Sequence, residues 1–505
     1  MTRQKKLALN SITSLIYQVT ALVCGFVLPR FLLAAYGDGV YGLTSSITQF
    51  LGFISLCEMG VGAVVQSALY KPLADGDDAE TSRIVKSSDR FFKRIAYILV
   101  AYTVILMFVY PLLTRDFDYT YTLLLILVMS VSTFAQYYFG MTYRLLLTAD
   151  QLGFIYYVLH SVSLVLNTAA CVVMIRFGAS IHAVKLATSL IFLLQPICLS
   201  IIARRKYKID RKIALVGEPI KQKWNGITQH IAAVVLGNTG VMVLTILSTL
   251  ENVAIYSVYF LVVNGVRQII MSLTGGTQAM FGNMLAKGET ETLDRSYSIF
   301  EWVMHTLVTV VFGATAALIM PFVSVYTNGV TDVNYAVPLF AVLITLAYAV
   351  YCIRVPYNTI VLAAGHYKQT QLSAIIEAAI NIVVSVATVW RFGLVGVAIG
   401  TLCAMLYRTV YFAFYLQRNI INRKIGHFVK HILTDALVVI LFALCLYFFN
   451  GAYQLKELTY TAWIVLALKV VGTMALPAIL VNLVLHRRTM AEVLGALLKK
   501  KRRRA

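Results

Sequence analysis

The chain has 505 residues, of which 59% are hydrophobic and only 13% are charged, and its mean hydropathy is +0.78. Water-soluble proteins carry about 25% charged residues, and a globular interior cannot absorb this much apolar surface. Lipid must therefore be the solvent for much of the chain. The net charge of +21 would suggest nucleic acid in a soluble protein. Here the basic residues lie in the breaks between apolar runs, so no nucleic-acid partner is predicted.

Fourteen apolar runs are long enough to span a bilayer, which takes about 20 residues. They are predicted near 11–35, 40–69, 92–113, 119–143, 152–175, 181–202, 226–249, 253–280, 298–321, 333–353, 367–390, 394–416, 431–450 and 459–484. No cleavable signal peptide is expected before them. The predicted fold class is an all-α polytopic membrane protein with about 14 transmembrane helices.

Positive charge indicates the orientation of these spans. It is concentrated before the first span, in the loops after even-numbered spans and in the C-terminal tail. The clearest groups are Lys5 and Lys6, the segment 204–223 and the tail 487–504. The loops after odd-numbered spans hold few basic residues. By the positive-inside rule, both termini are predicted to be cytoplasmic.

Three short segments recur at an offset of 215 residues. Arg-Phe-Gly at 176–178 recurs at 391–393, Val-Tyr at 40–41 aligns with Ile-Tyr at 255–256, and 141–150 aligns with 356–365. Six spans per repeat is an even number, so both repeats enter the membrane in the same direction. The chain is therefore predicted to form two pseudo-symmetric six-helix lobes with a cleft between them, plus two C-terminal helices.

The repeat and the charge pattern together predict the domain limits. They are an N-terminal lobe at 1–203, a basic cytoplasmic linker at 204–224, a C-terminal lobe at 225–420, transmembrane helices 13 and 14 at 421–486, and a basic cytoplasmic tail at 487–505. A two-lobed helical protein with a central cleft is most naturally an alternating-access transporter.

Covalent catalysis has no support in the sequence. The seven cysteines are dispersed within apolar runs, and no C-x-x-C spacing occurs, so neither a disulfide framework nor a zinc site is predicted. There is no phosphate-binding glycine loop, no H-E-x-x-H and no nucleophile elbow. We predict a protein that is not an enzyme, with no catalytic residues, no metal site and no cofactor.

The first 75 residues carry a family resemblance. The segments concerned are GFVLPR at 25–30, YGDGVYG at 36–42, QFLGFIS at 49–55, EMGVG at 58–62 and YKPLA at 70–74. Together with the loop ending at 363–365 and the Arg-Phe-Gly turn at 391–393, they resemble the polysaccharide-transport branch of the multidrug/oligosaccharidyl-lipid/polysaccharide exporter superfamily. That branch contains the O-antigen and capsule repeat-unit flippases.

This resemblance implies a fold of two six-helix bundles with two extra C-terminal helices. It also implies a substrate, an oligosaccharide joined through pyrophosphate to a polyprenyl lipid, which is moved from the inner to the outer leaflet for surface polysaccharide biosynthesis. The expected location is the bacterial cytoplasmic (inner) membrane. Membrane lipid is an expected partner, as are the polysaccharide polymerase and glycosyltransferases of the same pathway.

Two arginines within spans are candidate substrate ligands. A pyrophosphate head needs compensating donors inside hydrocarbon, and arginine offers a permanent charge and a planar fork of donors. Arg30 follows Pro29 near the outer end of span one, where the alternative is snorkelling to the lipid head groups; the resemblance favours a cavity ligand. Arg267 lies about fourteen residues into span eight, roughly 21 Å along the helix, where snorkelling is harder.

Two acidic residues are candidates for coupling transport to an ion gradient. Glu58 lies within span two, and Glu377 lies about eleven residues into span eleven. A buried carboxylate that exchanges protons would couple transport to a gradient. Each could equally pair with a basic group and hold two helices together. The sequence leaves this choice open, and it leaves open whether Arg408 and Lys469 face the cavity.

Three other functions remain as alternatives. A drug or small-molecule exporter of the same superfamily usually needs only twelve spans. A peptidoglycan-precursor flippase resembles the first 75 residues less closely. A polysaccharide polymerase or ligase belongs to a different class, and it would be expected to have a long extracytoplasmic loop, whereas the longest such break here is only about ten residues.

Overall fold

The structure, a computed structural model, describes residues 3–58, 61–114, 116–210, 212–214, 227–274, 276–330, 333–421 and 423–493. Every regular element in these ranges is helical. The α-helices are α1 Arg3–Gly52, α2 Val61–Asp75, α3 Asp78–Leu113, α4 Tyr119–Ala135, α5 Met141–Ala149, α6 Gly153–Arg176, α7 Ile181–Lys206, α8 Ile227–Leu247, α9 Leu250–Leu273, α10 Thr277–Lys287, α11 Thr290–Tyr326, α12 Pro338–Ile353, α13 Val355–Ala363, α14 Gln371–Phe392, α15 Leu394–Asn419, α16 Gly426–Phe448 and α17 Tyr460–Leu485.

Twelve stretches within the described ranges are long and apolar enough to cross a membrane. One of them covers two predicted spans, because α1 is broken at Gly37, whose φ of 78° lies in the region that favours glycine. The shorter apolar helix Ile231–Leu247, within α8, is a further candidate. Counting the two parts of α1 and this helix gives fourteen spans. The prediction of an all-α polytopic membrane protein with about 14 helices is confirmed.

The predicted repeat is visible in where helices end and break. α6 and α14 both end at the repeated Arg-Phe-Gly turn, with φ of 73° at Gly178 and 53° at Gly393. The fourth and tenth spans are both interrupted, by a π-helical turn at Gln136–Gly140 between α4 and α5, and at Arg354 between α12 and α13. The residue that lies 215 positions before Arg354 is Phe139, which is within that π-helical turn.

The tenth span is longer than the sequence predicts. Its predicted end is 353. The membrane-length stretch instead runs over Pro338–Ala363. Pro356 is accepted near the first turn of α13, where a missing N–H is tolerated. Arg354 is consequently an intramembrane residue and not a loop residue.

By internal contacts the chain divides into two compact units, Met1–Ala254 and Ile255–Ala505. The division falls after α8 and not within the predicted linker at 204–224. The reason is that α8 packs on α1: Ser46 Oγ of α1 lies 2.6 Å from Thr245 Oγ1 of α8. The lobe limits derived from the repeat stay predictions. Residues 211 and 215–226 of the linker and 494–505 of the tail lie outside the described residues.

Contacts within the first unit join loops that the predicted topology places on the same side of the membrane. Lys6 Nζ lies 2.8 Å from Asp150 Oδ1, and Lys206 Nζ lies 3.0 Å from Asp150 Oδ2. These contacts join the start of span one, the loop after span four and the end of span six. Tyr36 donates to the Ala179 carbonyl at 2.6 Å, joining the loops after spans one and five. Even-numbered and odd-numbered loops therefore lie at opposite ends; that the even end is cytoplasmic stays a prediction.

In the second unit, α14 and α15 form a close-packed hairpin. A Cβ on Gly400 would lie 2.1 Å from Ser385 Oγ, and one on Gly396 would lie 2.6 Å from the Thr388 carbonyl. The sequence predicts this close approach from the Gly-x-x-x-Gly spacing, and the structure confirms it. No side chain larger than hydrogen fits at either position without moving the two helices apart.

The two last helices are attached to α11. Phe442 of α16 and Met474 of α17 share an apolar cluster with Ala314 and Leu318 of α11. A Cβ on Gly313 would lie 2.5 Å from the end of the Met474 side chain. α16 and α17 thus belong structurally to the second unit, where they pack beside α11, the ninth span of the chain.

Candidate functional site

Three arginines and one glutamate form a polar cluster in the second unit. Arg354 Nη1 donates to Glu377 Oε1 at 2.5 Å, and Arg408 Nη1 donates to Glu377 Oε2. Exposure is 6% for Arg354, 1% for Glu377 and 8% for Arg408. Arg267 of α9 faces the same group through tyrosine rings. We call these four residues the arginine cluster.

Tyrosines of α12 connect Arg267 to the other members. The Tyr351 ring lies 4.6 Å from the guanidinium of Arg354 and 5.3 Å from that of Arg267. Arg267 also lies 5.9 Å from the Tyr348 ring. Cation–π contacts of this kind contribute about 0.5–2 kcal/mol each. One aromatic ring therefore holds two like charges near each other without neutralising either.

Local structure explains why these residues converge. Arg354 lies at the break between α12 and α13, where the helix axis is interrupted. Glu377 and Arg408 lie on α14 and α15, and the glycine-packed hairpin fixes the distance between those helices. Arg267 lies on α9. Four different helices thus supply the charges and the ring between them.

The cluster carries excess positive charge. Three guanidinium groups face one carboxylate, which is shared by Arg354 and Arg408. Arg267 makes no ion pair with any residue that the structure describes, and its buried Nε has no hydrogen-bond partner there. A charged residue within a span costs about 2.5–3.5 kcal/mol on insertion scales. The unpaired guanidinium of Arg267 therefore makes this a site suited to an anion.

The predicted site residues are distributed over both units. Arg267 and Glu377 lie in the arginine cluster, and Arg408 joins them there. Glu377 accepts from two arginines, which is the ion-pair alternative considered for it; its role in ion coupling stays a prediction. Arg30 is half-buried on α1 in the first unit, seven residues before the Gly37 break, and its role as a substrate ligand also stays a prediction.

The first unit contains a polar chamber of about 460 Å³ between its helices. Glu58 lines it and accepts a hydrogen bond from the Tyr137 hydroxyl. Lys185 lines the same chamber. Hydroxyl and amide side chains supply much of the remaining wall. One acid and one base make this chamber neutral overall, in contrast to the arginine cluster.

A smaller chamber of about 210 Å³ shares part of this wall. Arg144 lies 4.3 Å over the Tyr156 ring there, and His160 Nδ1 lies 2.7 Å from Gln195 Oε1. Arg30 lines neither chamber. Within the described ranges, no three His, Cys, Asp or Glu side chains are grouped so that they could hold a metal ion.

Sequence reasoning missed Arg354, which completes the cluster. The predicted span ends at 353, which leaves Arg354 out of the candidate intramembrane charges. The available signal was the repeat: its counterpart segment, 141–150, also begins after an interruption within a span. A charged residue at a repeated helix break is the pattern that would have found it.

The helices and the charged interior define a polytopic α-helical membrane protein. No protein-family model matches the chain, and no curated protein sequence matches it. Among solved structures, the lipid II flippase MurJ in an inward closed conformation superposes with a TM-score of 0.70 at 14% identity, covering 96% of this chain and 100% of MurJ.

Multidrug transporters of the MATE family also share the fold. An inward-facing MATE transporter of the MOP superfamily has a TM-score of 0.55 at 15% identity, covering 82% of this chain and 98% of its own. The Vibrio cholerae MATE transporter VcmN in the bent form has a TM-score of 0.53 at 14% identity, with the same coverages. At these identities the likeness shows the fold alone. The chain has the fold of MOP-superfamily flippases and transporters.

Proposed function

We propose that this protein is a flippase that moves polyprenyl-pyrophosphate-linked oligosaccharide repeat units from the inner to the outer leaflet by alternating access. It would act in the bacterial cytoplasmic membrane, with both termini in the cytoplasm. The polysaccharide polymerase and glycosyltransferases of the same pathway are its proposed partners. No covalent step is involved.

The observation that carries the proposal is the unbalanced charge of the arginine cluster. A pyrophosphate carries negative charge and many acceptor oxygens, and crossing hydrocarbon without partners would be very costly for it. Arg267 has the site's uncommitted guanidinium, since Glu377 already engages Arg354 and Arg408. Arg267 would therefore bind the phosphate oxygens directly, and the paired arginines would add a positive field. Arg30 is proposed as a second ligand.

The same charge argues against a cationic substrate. A cationic drug would have to approach the guanidinium of Arg267, which has no ion pair among the described residues, and this repulsion is strong where the dielectric constant is low. The fold comparison supports the lipid substrate too, because the MATE structures cover 82% of this chain whereas MurJ covers 96%. The two helices beyond twelve, α16 and α17, fit a substrate whose lipid chain stays in the bilayer.

MurJ is named a lipid II flippase, so a peptidoglycan precursor is the second candidate substrate. The TM-score of 0.70 over the whole of MurJ is the observation that favours it. The arginine cluster suits either lipid, because both would present an anionic head group. The distinction between them therefore has to come from translocation assays with defined probes.

The test uses purified protein in liposomes that contain a synthetic polyprenyl pyrophosphate bearing a fluorescent oligosaccharide. Membrane-impermeant dithionite quenches probe that is exposed outside, so translocation is read as the additional quenched fraction. Wild-type protein should translocate this probe. Arg267→Ala should reduce the rate by about 100-fold, the loss expected when a charged contact of about 2.7 kcal/mol is removed from the rate-limiting state.

Arg391→Ala is the matched control, because Arg391 is an exposed arginine of the same unit at the end of α14. It should translocate the probe at the wild-type rate. Arg267→Lys should restore only part of the activity, since lysine keeps the charge but not the planar fork of donors. A peptidoglycan precursor and a cationic dye, tested in parallel, separate the alternatives. Full activity of Arg267→Ala, or transport of the cationic dye alone, would refute the proposal.

A further inference from the structure

Four side chains of the second unit, three of them buried, form a continuous hydrogen-bonded chain away from the arginine cluster. His305 Nδ1 lies 2.5 Å from Asp435 Oδ2, and His305 Nε2 lies 2.9 Å from the Tyr357 hydroxyl. Tyr357 in turn donates to Glu301 Oε1 at 2.7 Å. The order is therefore Asp435, His305, Tyr357, Glu301. It joins α16 to α11 and α13, and we call it the His305 chain.

The hydrogens of this chain can be counted. Three short contacts need three hydrogens, one in each gap. A neutral imidazole supplies one, and the Tyr357 hydroxyl supplies one, which it gives to Glu301. Ionised carboxylates supply none. One further proton is therefore required, either on His305, which would then be an imidazolium with both nitrogens donating, or on one of the two carboxylates.

Because these contacts are buried, a contact that lacks its hydrogen costs free energy. Exposure is 1% for His305 and 2% for Glu301, so water cannot easily fill a gap between two acceptors. Two acceptors in contact without a hydrogen would leave buried polar groups unpaired, at a cost of about 1–3 kcal/mol each. The Asp435 side chain is 14% exposed. Asp435 is thus the more exposed end of the chain, at which a proton enters or leaves.

Two more histidines extend the group. His431 stacks on His305 with ring centroids 4.8 Å apart, and His486 stacks on His431 at 4.7 Å. His431 Nε2 lies 3.9 Å from Glu301 Oε2. Burial, followed by the charge of Lys430, lowers the pKa of His486 to about 4. His486 is therefore neutral near pH 7, so the additional proton is not on its ring.

The charges facing the chain come from every element packed against it. They are Asp294 and Glu301 on α11, Tyr357 on α13, Arg423 before α16, His427, Lys430, His431 and Asp435 on α16, and His486 after α17. Three carboxylates face one arginine and one lysine among these described residues. With neutral histidines the group has one negative charge in excess, and one bound proton balances it.

We propose that the His305 chain is a proton-binding site, which holds one proton at neutral pH and thereby fastens α16 to α11 and α13. This goes beyond the proposed flippase activity and does not depend on it. On deprotonation the proton leaves through Asp435, and one of the three contacts loses its hydrogen. The ligand of the site is the proton itself.

The test is the pH dependence of unfolding of the full-length protein in detergent. The folded state binds one proton more than the unfolded chain at alkaline pH, so stability must fall as pH rises. The expected slope is a tenfold increase in the unfolding equilibrium constant per pH unit for that one proton. In Asp435→Asn the amide supplies the third hydrogen, so the slope should decrease by one proton while the three contacts are kept.

Asp294→Asn is the matched control, since Asp294 belongs to the surrounding charges but not to the chain, and it should keep the wild-type slope. Tyr357→Phe removes two of the three contacts together with the hydroxyl hydrogen. The neutral imidazole then supplies the one hydrogen that the remaining contact needs, so this variant should lose the slope as Asp435→Asn does. Infrared spectra of wild-type protein with ring-labelled histidine give a reading that needs no variant: an imidazolium or a protonated carboxyl group should persist at pH 8. Absence of both signals, or an unchanged slope in both chain variants, would overturn the proposal.

Discussion

The two units place polar groups inside their helices in different ways. The first unit encloses a neutral chamber in which Glu58 and Lys185 share a wall of hydroxyl and amide groups. The second unit fills its interior with the arginine cluster, where the only carboxylate is already engaged by two arginines. The first unit therefore has a chamber without net charge, and the second unit has charged side chains on closely packed helices.

The repeat makes this difference specific. At the offset of 215, the counterparts of Arg267, Arg354, Glu377 and Arg408 are all uncharged and apolar: Gly52, Phe139, Val162 and Leu193. The two repeats share the positions of helix ends and helix breaks, but only the second carries the charged side chains. A duplicated scaffold therefore keeps its backbone geometry while one copy takes on the charged site.

The largest expected effect tests whether Glu377 is structural. Glu377→Gln leaves Arg354 and Arg408 buried without their counter-charge, so the free energy of unfolding should fall by about 3–5 kcal/mol. Chemical denaturation in detergent measures it. Arg267→Ala is the control within the same cluster, because Arg267 has no ion pair to lose, and it should cost about 1 kcal/mol or less. A Glu377→Gln protein as stable as the wild type would mean that this carboxyl is not a fixed counter-ion, which would favour its coupling role.

A smaller effect is expected for the acid of the first unit. Glu58→Gln keeps an acceptor for Tyr137 and loses only the charge, so it should cost about 1 kcal/mol of stability. If Glu58 exchanges protons during transport, the same variant should translocate the lipid probe at a rate that no longer responds to an imposed pH gradient. Tyr137→Phe is the control, with a similar stability cost and a retained gradient response. An unchanged gradient response in Glu58→Gln would remove Glu58 from the coupling mechanism.

The smallest effect concerns the contacts at one end of the first unit. Burial raises the pKa of the Asp150 carboxyl, but hydrogen bonds from Lys6, Tyr207 and Lys206 outweigh it, so the pKa lies below its ordinary value. Asp150 therefore contributes stability above the unfolded pKa of about 3.9, and this contribution is lost as pH falls through the folded pKa.

Asp150→Asn should lower stability by about 0.5 kcal/mol at pH 7, and this loss should shrink as the pH falls towards 3. Thermal unfolding over pH 3 to 7 measures the difference. Asp118→Asn, at the predicted opposite end of the same unit, is the comparison, because its carboxylate only caps α4. An equal loss at pH 3 and pH 7 for Asp150→Asn would show that charge is not the cause.

The span count follows from the hydrophobic runs, and the repeat follows from the recurring segments. The close packing of α14 on α15 follows from the glycine spacing. These features depend on local periodicity, which a sequence displays directly. Arg267 was also identifiable, because its depth within a span makes snorkelling difficult.

The partners of these charges were not identifiable in the same way. That Arg354 and Arg408 share Glu377 depends on which faces of α12, α14 and α15 meet, and helical periodicity in a uniformly apolar span does not reveal this. The His305 chain was missed for the same reason. His305 alone looks like a packing residue, and its meaning comes from Asp435, which is 130 positions away.

The glycine contacts between α14 and α15 limit how the second unit can rearrange. Because these two helices touch through backbone atoms, neither can shift against the other without a clash, and the Glu377–Arg408 pair that joins them keeps its geometry. Under the proposed function, a rearrangement around an anion would therefore have to involve the other two contributors, the broken tenth span with Arg354 and helix α9 with Arg267. The interruption at Arg354 is the point at which the tenth span would bend.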